Sequence, residues 1–247
     1  VRYWAASGRP GTDTAFDEGQ MKIGRRLAMK VLNASRFALS HGVVEDATAV
    51  TEAIDLAMLA RLRGVVAAAT AAFDDFNYTR ALEVSETFFW SFCDDYLELV
   101  KDRSYGDPDD PGTASARASL ALALSVQLRL FAPFLPFVTE EVWSWWQAGS
   151  VHRAAWPTVE ELAVAESTDD AVLGAVASAL GLVRKAKSEN KLSMRTELPA
   201  VTVLGPRDTV DLIRAGQRDL AAAGRVATLS FELGDELGVD VTLPEPE

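Results

Sequence analysis

The chain has 247 residues, 49% of them hydrophobic, and its 36 acidic and 24 basic side chains give a formal net charge of -12. The length suits one large domain or a medium domain with a smaller companion. The acidic balance excludes a protein that coats nucleic acid non-specifically, because such binding needs many phosphate contacts. The sequence has no run of about 18 to 20 uncharged apolar residues, so we expect a soluble cytoplasmic protein with no membrane partner.

The cysteine and histidine content gives no sign of a metal site. Cys93 is the single cysteine, and the two histidines, His41 and His152, are far apart in sequence. We therefore predict no metal ligands and a buried apolar role for Cys93. The sequence also contains no glycine-rich phosphate loop and no nucleophile elbow. We predict no catalytic residue and no cofactor bound by this chain itself.

Helical periodicity dominates the first part of the chain. It predicts helices at about 17–39, 46–72, 77–101 and 113–131, and a fifth short helix that begins at Thr139 and carries Trp143, Trp145 and Trp146. His41-Gly42 ends the first helix, the loop 106–112 precedes the fourth, and Pro133 and Pro136 form a turn before the fifth. Five helices joined by short connections predict a helix bundle.

The pattern becomes mixed after about residue 158. A helix is predicted at about 169–190, a strand at 200–204, a helix at about 208–223, and strands at 226–233 and 239–243. This order predicts a small α+β domain with αβαββ topology. The predicted fold is therefore mainly α, a five-helix bundle followed by a small α+β domain. We expect three regions, which are residues 1–16, 17–157 and 158–247.

The first long helix is unusually basic. Between Gly19 and Val44 there are five cations and no acidic residue, so the remainder of the chain carries -17 when this +5 is taken from -12. On a helical wheel the cations share one face with an amide and an aromatic ring, opposite an apolar face that includes Ile23. The members of this recognition face are Lys22, Arg25, Arg26, Lys30, Asn33, Arg36 and Phe37.

Two interpretations of the recognition face stay open on periodicity alone. Single-stranded RNA is bound by cations that hold phosphates, amides that read base edges and rings that stack on bases. The same charges also suit a solvated outer face, and Phe37 lies only about 40° from Ile23, which would let it pack into the core. A second basic group suits either auxiliary RNA contacts or an ordinary solvated helix end, and it comprises Arg184, Lys185, Lys187, Lys191 and Arg195.

Two stretches of the chain resemble valyl-tRNA synthetases. The first is VRYWAASGRPGTDTAFDE at residues 1–18 with KVLNASRF at 30–37, and the second is QLRLFAPFLPFVTEEVW at 127–143. The resemblance covers about residues 1–157 and is loose beyond them. It implies that residues 1–16 are the end of a stem-contact region and that residues 17–157 are an anticodon-binding helix bundle. We accordingly expect the chain to be part of a longer polypeptide.

The resemblance also implies a role for individual residues. In that family the positions that match Asn33, Arg36 and Phe37 meet the anticodon loop, with the aromatic ring stacked on a base. We therefore expect the anticodon-binding part of a valine–tRNA ligase, a monomer that binds tRNA-Val and catalyses nothing by itself. ATP and magnesium are implied only for the parent enzyme. The alternatives are the equivalent domain of isoleucyl- or leucyl-tRNA synthetase, and a helical protein-interaction scaffold.

Overall fold

The computed structural model describes residues 1–9 and 11–244 and confirms a mainly α-helical chain that ends in a small sheet. Pro10 of the predicted region 1–16, and residues 245–247 of the predicted region 158–247, lie outside the described residues. The boundaries between the three predicted regions stay predictions.

The bundle consists of helices that mostly follow the predicted positions. They are α1 (Arg2–Ser7), α2 (Glu18–Leu39), α3 (Ala53–Asp74), α4 (Tyr78–Ser91), α5 (Leu97–Ser104), α6 (Pro111–Phe131) and α7 (Pro136–Trp143). A π-helical turn, Phe92–Tyr96, joins α4 to α5, so the helix predicted at 77–101 is continuous but bulged. Short 3₁₀ turns occupy Ala47–Ala49, Val151–Arg153 and Val159–Ala165.

Local capping explains where two of the long helices begin. The side chain of Asp17 accepts hydrogen bonds from the backbone N–H groups of Gly19 and Gln20 at the start of α2. Asp110 accepts a hydrogen bond from the backbone N–H of Thr113 at the start of α6. Aspartate is favoured at this position because it satisfies N–H groups that have no partner within the helix.

α7 differs from its predicted position. It begins at Pro136 and not at Thr139. Proline suits the first turn of a helix because the N–H group that it lacks would have no partner within the helix at that position. It ends at Trp143, so Trp145 and Trp146 lie in the turn that follows and not on the helix.

The remainder of the chain is built around a small mixed sheet. Its elements are α8 (Ala171–Glu189), β1 (Leu198–Gly205), α9 (Arg207–Ala215), α10 (Gln217–Gly224), β2 (Val226–Leu233) and β3 (Gly238–Thr242). β1 is central, parallel to β2 and antiparallel to β3, in the order β2-β1-β3. In this register Val201 of β1 pairs with Leu229 of β2 and Val241 of β3.

One element of the α+β part is corrected by the structure. The single helix predicted at about 208–223 is two helices, α9 and α10, which meet at Gly216. A Cβ atom at Gly216 would lie 2.7 Å from Cγ2 of Val176, so glycine lets the chain approach α8 closely. The observed order is therefore αβααββ and not αβαββ.

The larger of two hydrophobic cores extends from the bundle into the α+β part. Leu27 of α2, Leu62 of α3 and Leu99 of α5 are fully buried in it, and so is Leu220 of α10. A smaller core lies between α8 and the sheet and contains Val183, Leu198, Val201 and Val226. Because α10 packs on α5 and α8 packs on α3, the α+β part has a fixed position against the bundle.

Among the described helices, α3 is the one that is long and apolar enough to suit a membrane span, with an 18-residue stretch of mean hydropathy 1.5. In this structure it is the central helix of the bundle, with Leu62 fully buried. Toward the α8 side, Arg61 and Arg63 form ion pairs with Asp170 and Glu166. One side of α3 is buried and the other carries ion pairs, which indicates a core helix of the bundle. Its apolar composition is explained by this packing.

Candidate nucleic-acid interface

α2 presents most of the recognition face to solvent. Its buried side consists of Gly24, Leu27, Val31, Ala34, Ser35 and Ala38. The exposed members of the recognition face are Lys22, Arg25, Arg26, Asn33 and Arg36. The prediction that Ile23 belongs to the buried face is wrong, since its side chain is 38% exposed. α1 packs instead against Gly24, where an added Cβ would lie 2.5 Å from Cβ of Tyr3.

The recognition face divides into two sides. On the side near α7, the guanidinium of Arg36 lies over the ring of Trp145, 5.9 Å from its centroid. Arg25 lines a groove formed by α1, α2 and the segment that leads into α7. The groove on the opposite side of α2 is lined by Lys30, Asn33 and Phe37. The structure therefore brings these three residues together and places Arg25 and Arg36 apart from them.

The groove that holds Phe37 lies between α2 and α5 and has a volume of about 320 Å³. We call it the α2–α5 groove; besides the three residues from the recognition face, it is lined by Ala34, Cys93, Leu97, Glu98 and Lys101. It combines apolar surface with an amide, two ammonium groups and a carboxylate. A planar base with an exposed polar edge needs this combination of ring contact and hydrogen-bonding groups.

Phe37 is neither a fully buried core residue nor a free surface ring. It is partly buried and packs against the main core. Its ring centroid lies 6.1 Å from that of His41 and 6.2 Å from that of Tyr105, while His41 and Tyr105 are 3.9 Å apart. The three rings form an aromatic cluster, in which Phe37 lines the α2–α5 groove and Tyr105 is 56% exposed.

Three residues at or beside this site, His41, Lys101 and Tyr105, are not predicted by helical periodicity or composition. Tyr105 stands at the end of α5, directly before the loop that starts at Gly106. Its position was a signal in the sequence that the ring is available for binding, because an aromatic residue between a helix and a polar loop has little core to pack against. Lys101 and His41 gave no comparable signal, since helix ends commonly carry basic residues.

The charges in and near the α2–α5 groove have specific partners. Nζ of Lys30 lies 3.0 Å from Oδ1 of Asp94 and 5.7 Å from the centroid of Trp90. Burial by itself lowers the pKa of Lys30, but the hydrogen bond to Asp94 and the neighbouring anionic groups outweigh it, so the pKa is raised. Lys30 therefore remains a cation at neutral pH.

The pKa of His41 is shifted in the opposite direction from that of Lys30. Burial, and then the charge of the Arg117 guanidinium, lower the pKa of His41 below its ordinary value. Its Nε2 atom is buried and has no hydrogen-bond partner among the described residues. At neutral pH His41 therefore contributes a neutral ring to the aromatic cluster and not a charge.

The second basic group is only partly at the surface. Lys187 is buried, which corrects its interpretation as a solvated or RNA-facing cation. Arg184 is partly exposed and lies 3.5 Å from Glu98 of α5. The exposed members are Lys185, Lys191 and Arg195. Within residues 1–9 and 11–244, no group of three or more His, Cys, Asp or Glu side chains is arranged to hold a metal ion.

Comparison with known proteins adds an independent line of support. A family model described as the anticodon-binding domain of tRNA ligase matches residues 55–202. A valine–tRNA ligase from Thermobifida fusca is 63% identical over 253 residues, which are 100% of this chain and 28% of the relative. Those from Salinispora arenicola and Cutibacterium acnes are 54% and 50% identical, covering 98% and 100% of this chain and 31% and 28% of their own length.

The extent of the similarity is greater than the sequence motifs predicted. The similarity to these relatives extends over the whole chain, including the part beyond residue 157 where only a loose resemblance was expected. The chain itself spans less than a third, 28 to 31%, of the length of these curated relatives.

Proposed function

Because the chain belongs to the family of anticodon-binding domains of tRNA ligases, we propose that it binds the anticodon stem-loop of tRNA-Val. In this proposal it positions the tRNA for valylation by a longer parent enzyme, which uses ATP and magnesium at residues outside this sequence. The chain alone catalyses nothing, and it acts in the cytoplasm as a monomer. Three relatives named valine–tRNA ligase support the assignment to valine.

The observation that carries the proposal is the partly buried ring of Phe37 beside Asn33 and Lys30 in the α2–α5 groove. A ring that is anchored on one side and open on the other supplies a rigid stacking platform for an unpaired base. The amide of Asn33 is suited to read the edge of that base, and the ammonium of Lys30 is suited to hold an adjacent phosphate.

The remaining members of the recognition face act on the backbone in this proposal. Lys22 and Arg26 are exposed on the same helix and bind phosphates of the loop. Arg25 and Arg36, on the α7 side, bind the strand that returns from the loop. Guanidinium groups suit phosphates because their N–H donors can engage two oxygens at once.

Binding of purified chain to different tRNAs tests the proposal. We expect tRNA-Val to bind more tightly than tRNA-Ile or tRNA-Leu, measured by fluorescence anisotropy at several salt concentrations. Each phosphate held by a cation should contribute roughly 0.7 to 0.9 to the logarithmic salt slope. The matched control is tRNA-Val that carries the isoleucine anticodon, which should bind as weakly as tRNA-Ile.

Three outcomes would contradict the proposal. Equal binding of tRNA-Val and its anticodon-swapped control would exclude recognition of the anticodon. Tighter binding of tRNA-Ile or tRNA-Leu would assign the chain to one of those synthetases. Binding of acidic peptides with no binding of any tRNA would favour a protein-interaction scaffold.

A further inference from the structure

A second groove opens between α5 and the α+β part of the chain and has a volume of about 460 Å³. We call it the interdomain groove. It shares Glu98 and Lys101 with the α2–α5 groove, so the two adjoin along α5. Tyr105 also lines it, with its ring 6.2 Å from that of Phe37. The two grooves therefore form one continuous depression that passes the aromatic cluster.

The interdomain groove has a charge opposite to that of the whole chain. Five cations and two carboxylates line it, whereas the chain carries -12. The cations are Lys101, Arg184, Lys187, Arg195 and Arg225. A cleft whose lining has an excess of one sign of charge, and which is walled by protein, concentrates the electrostatic field toward its opening. Such a cleft attracts anions even on an acidic protein.

Lys187 forms a buried hydrogen-bond network at this groove, which an ordinary surface patch lacks. Its buried Nζ donates hydrogen bonds to the backbone oxygens of Thr196 at 2.6 Å, Gly224 at 2.7 Å and Met194 at 3.3 Å. These carbonyls are neutral, so they satisfy the ammonium group without cancelling its charge. Burial, and then the charges of Arg225 and Arg184, lower the pKa of Lys187, in agreement with a positive potential at this place.

The same hydrogen bonds hold two exposed arginines at the groove. Met194 and Thr196 flank Arg195, and Gly224 immediately precedes Arg225. Arg225 adopts a left-handed backbone conformation with φ of 51°, which residues other than glycine rarely adopt. This conformation ends α10, as it ends many helices, so the direction of the chain at Arg225 is fixed by the helix cap.

We propose that the interdomain groove is a second part of the RNA-binding surface, which holds the sugar-phosphate backbone of the tRNA beside the aromatic cluster. Arg195 and Arg225 are the phosphate-binding residues in this inference, which rests on the proposed function above. RNA is favoured over an acidic protein because the groove is continuous with a ring cluster and an amide suited to bases. The α+β part then contributes directly to tRNA binding and is not only a connection.

A double variant, Arg195→Gln with Arg225→Asn, tests the proposal. Asparagine is chosen at position 225 because it tolerates the left-handed conformation better than most residues. The matched control is Arg207→Gln, which removes an exposed arginine of α9 that does not line the groove. Loss of two phosphate contacts should reduce the logarithmic salt slope of tRNA-Val binding by about 1.4 to 1.8. The control should leave the slope unchanged, and circular dichroism should show that all variants remain folded.

The outcomes separate this inference from the proposed function. Lys30→Ala, a change in the α2–α5 groove, is measured alongside. If Lys30→Ala weakens binding but the double variant leaves the slope unchanged, the interdomain groove is excluded and the proposed function survives. If the unmodified chain binds no tRNA, both fail together. Binding to polyglutamate, a probe for acidic proteins, is measured as well. If the double variant loses binding to polyglutamate but keeps its salt slope for tRNA-Val, the groove serves an acidic protein and the RNA assignment is overturned.

Discussion

Arg103 binds Asp219 through two parallel hydrogen bonds, from Nε to Oδ1 and from Nη2 to Oδ2, each 2.9 Å long. The same guanidinium donates to both carboxylate oxygens of Asp55, at 2.7 and 2.9 Å. These residues belong to α5, α10 and α3, so the contact joins the α+β part to the bundle. Burial raises the pKa of Asp219 although the hydrogen bonds from Arg103 oppose that shift. The contact joins α5 to α10, and residues of both helices line the interdomain groove.

Removal of Arg103 should be strongly destabilising. Arg103→Ala leaves two buried carboxylates without their cation, and we expect a loss of about 3 to 5 kcal/mol in the free energy of unfolding. Arg103→Lys should rescue only part of it, because an ammonium cannot form the two-pronged contacts. The control is Arg80→Ala, whose exposed pair with Glu83 should contribute less than about 1 kcal/mol. Urea denaturation measures all three, and equal losses for Arg80→Ala and Arg103→Ala would contradict the interpretation.

Phe37 should affect tRNA binding more than folding. Phe37→Ala should weaken tRNA-Val binding by about 1 to 3 kcal/mol, the range for base–aromatic stacking. The loss of stability should stay below the roughly 3 to 5 kcal/mol of a fully buried phenylalanine, since the ring is only partly buried. Phe37→Trp should retain binding, because a larger ring extends into the open groove. Thermal unfolding and affinity must be measured on the same samples; unchanged affinity of folded Phe37→Ala would exclude the stacking role.

Release of Lys30 from its ion pair should strengthen RNA binding. Asp94→Asn keeps the shape of the side chain but removes the carboxylate charge 3.0 Å from Nζ of Lys30. If Lys30 binds a phosphate, affinity for tRNA-Val at low salt should rise, while stability should change by less than about 1 kcal/mol. Asp95→Asn is the control, because it makes the same change of charge at a residue that accepts a hydrogen bond from Ser91 instead. An equal gain in both variants would mean that only the total charge matters.

The stability of the chain should fall as the pH is lowered through the range where histidine titrates. The folded pKa of His41 is below its ordinary value, so the unfolded chain binds a proton more readily than the folded chain. Stability from this residue is therefore fully present above the unfolded pKa of about 6.5 and is lost as pH decreases toward the folded pKa. His41→Phe keeps a ring beside Tyr105 and should remove this slope, which lies below about pH 6.5, in urea denaturation. His152 is retained in both proteins, so a slope that persists in His41→Phe would assign the effect to another group.

The sequence by itself determined the features that depend on residues close to one another along the chain. The helices α2, α3 and α6 follow from apolar periodicity, and the starts of α2 and α6 follow from the caps Asp17 and Asp110. The mainly α fold with a small α+β part was predicted for the same reason. The resemblance to valyl-tRNA synthetases, carried by continuous stretches of residues, was confirmed by the comparisons. That the recognition face binds RNA stays a prediction.

Only the tertiary structure decided the features that depend on residues distant in sequence. Gly216, where α9 meets α10, has no room for a side chain because Val176 of α8 lies against it, which periodicity in α9 and α10 does not reveal. Lys187 is buried because carbonyls from two other segments surround its ammonium group. Tyr105 reaches Phe37 because α5 ends beside the end of α2. A helical wheel describes one helix in isolation, and it therefore contains no information about which of its exposed residues share a groove with a neighbouring helix.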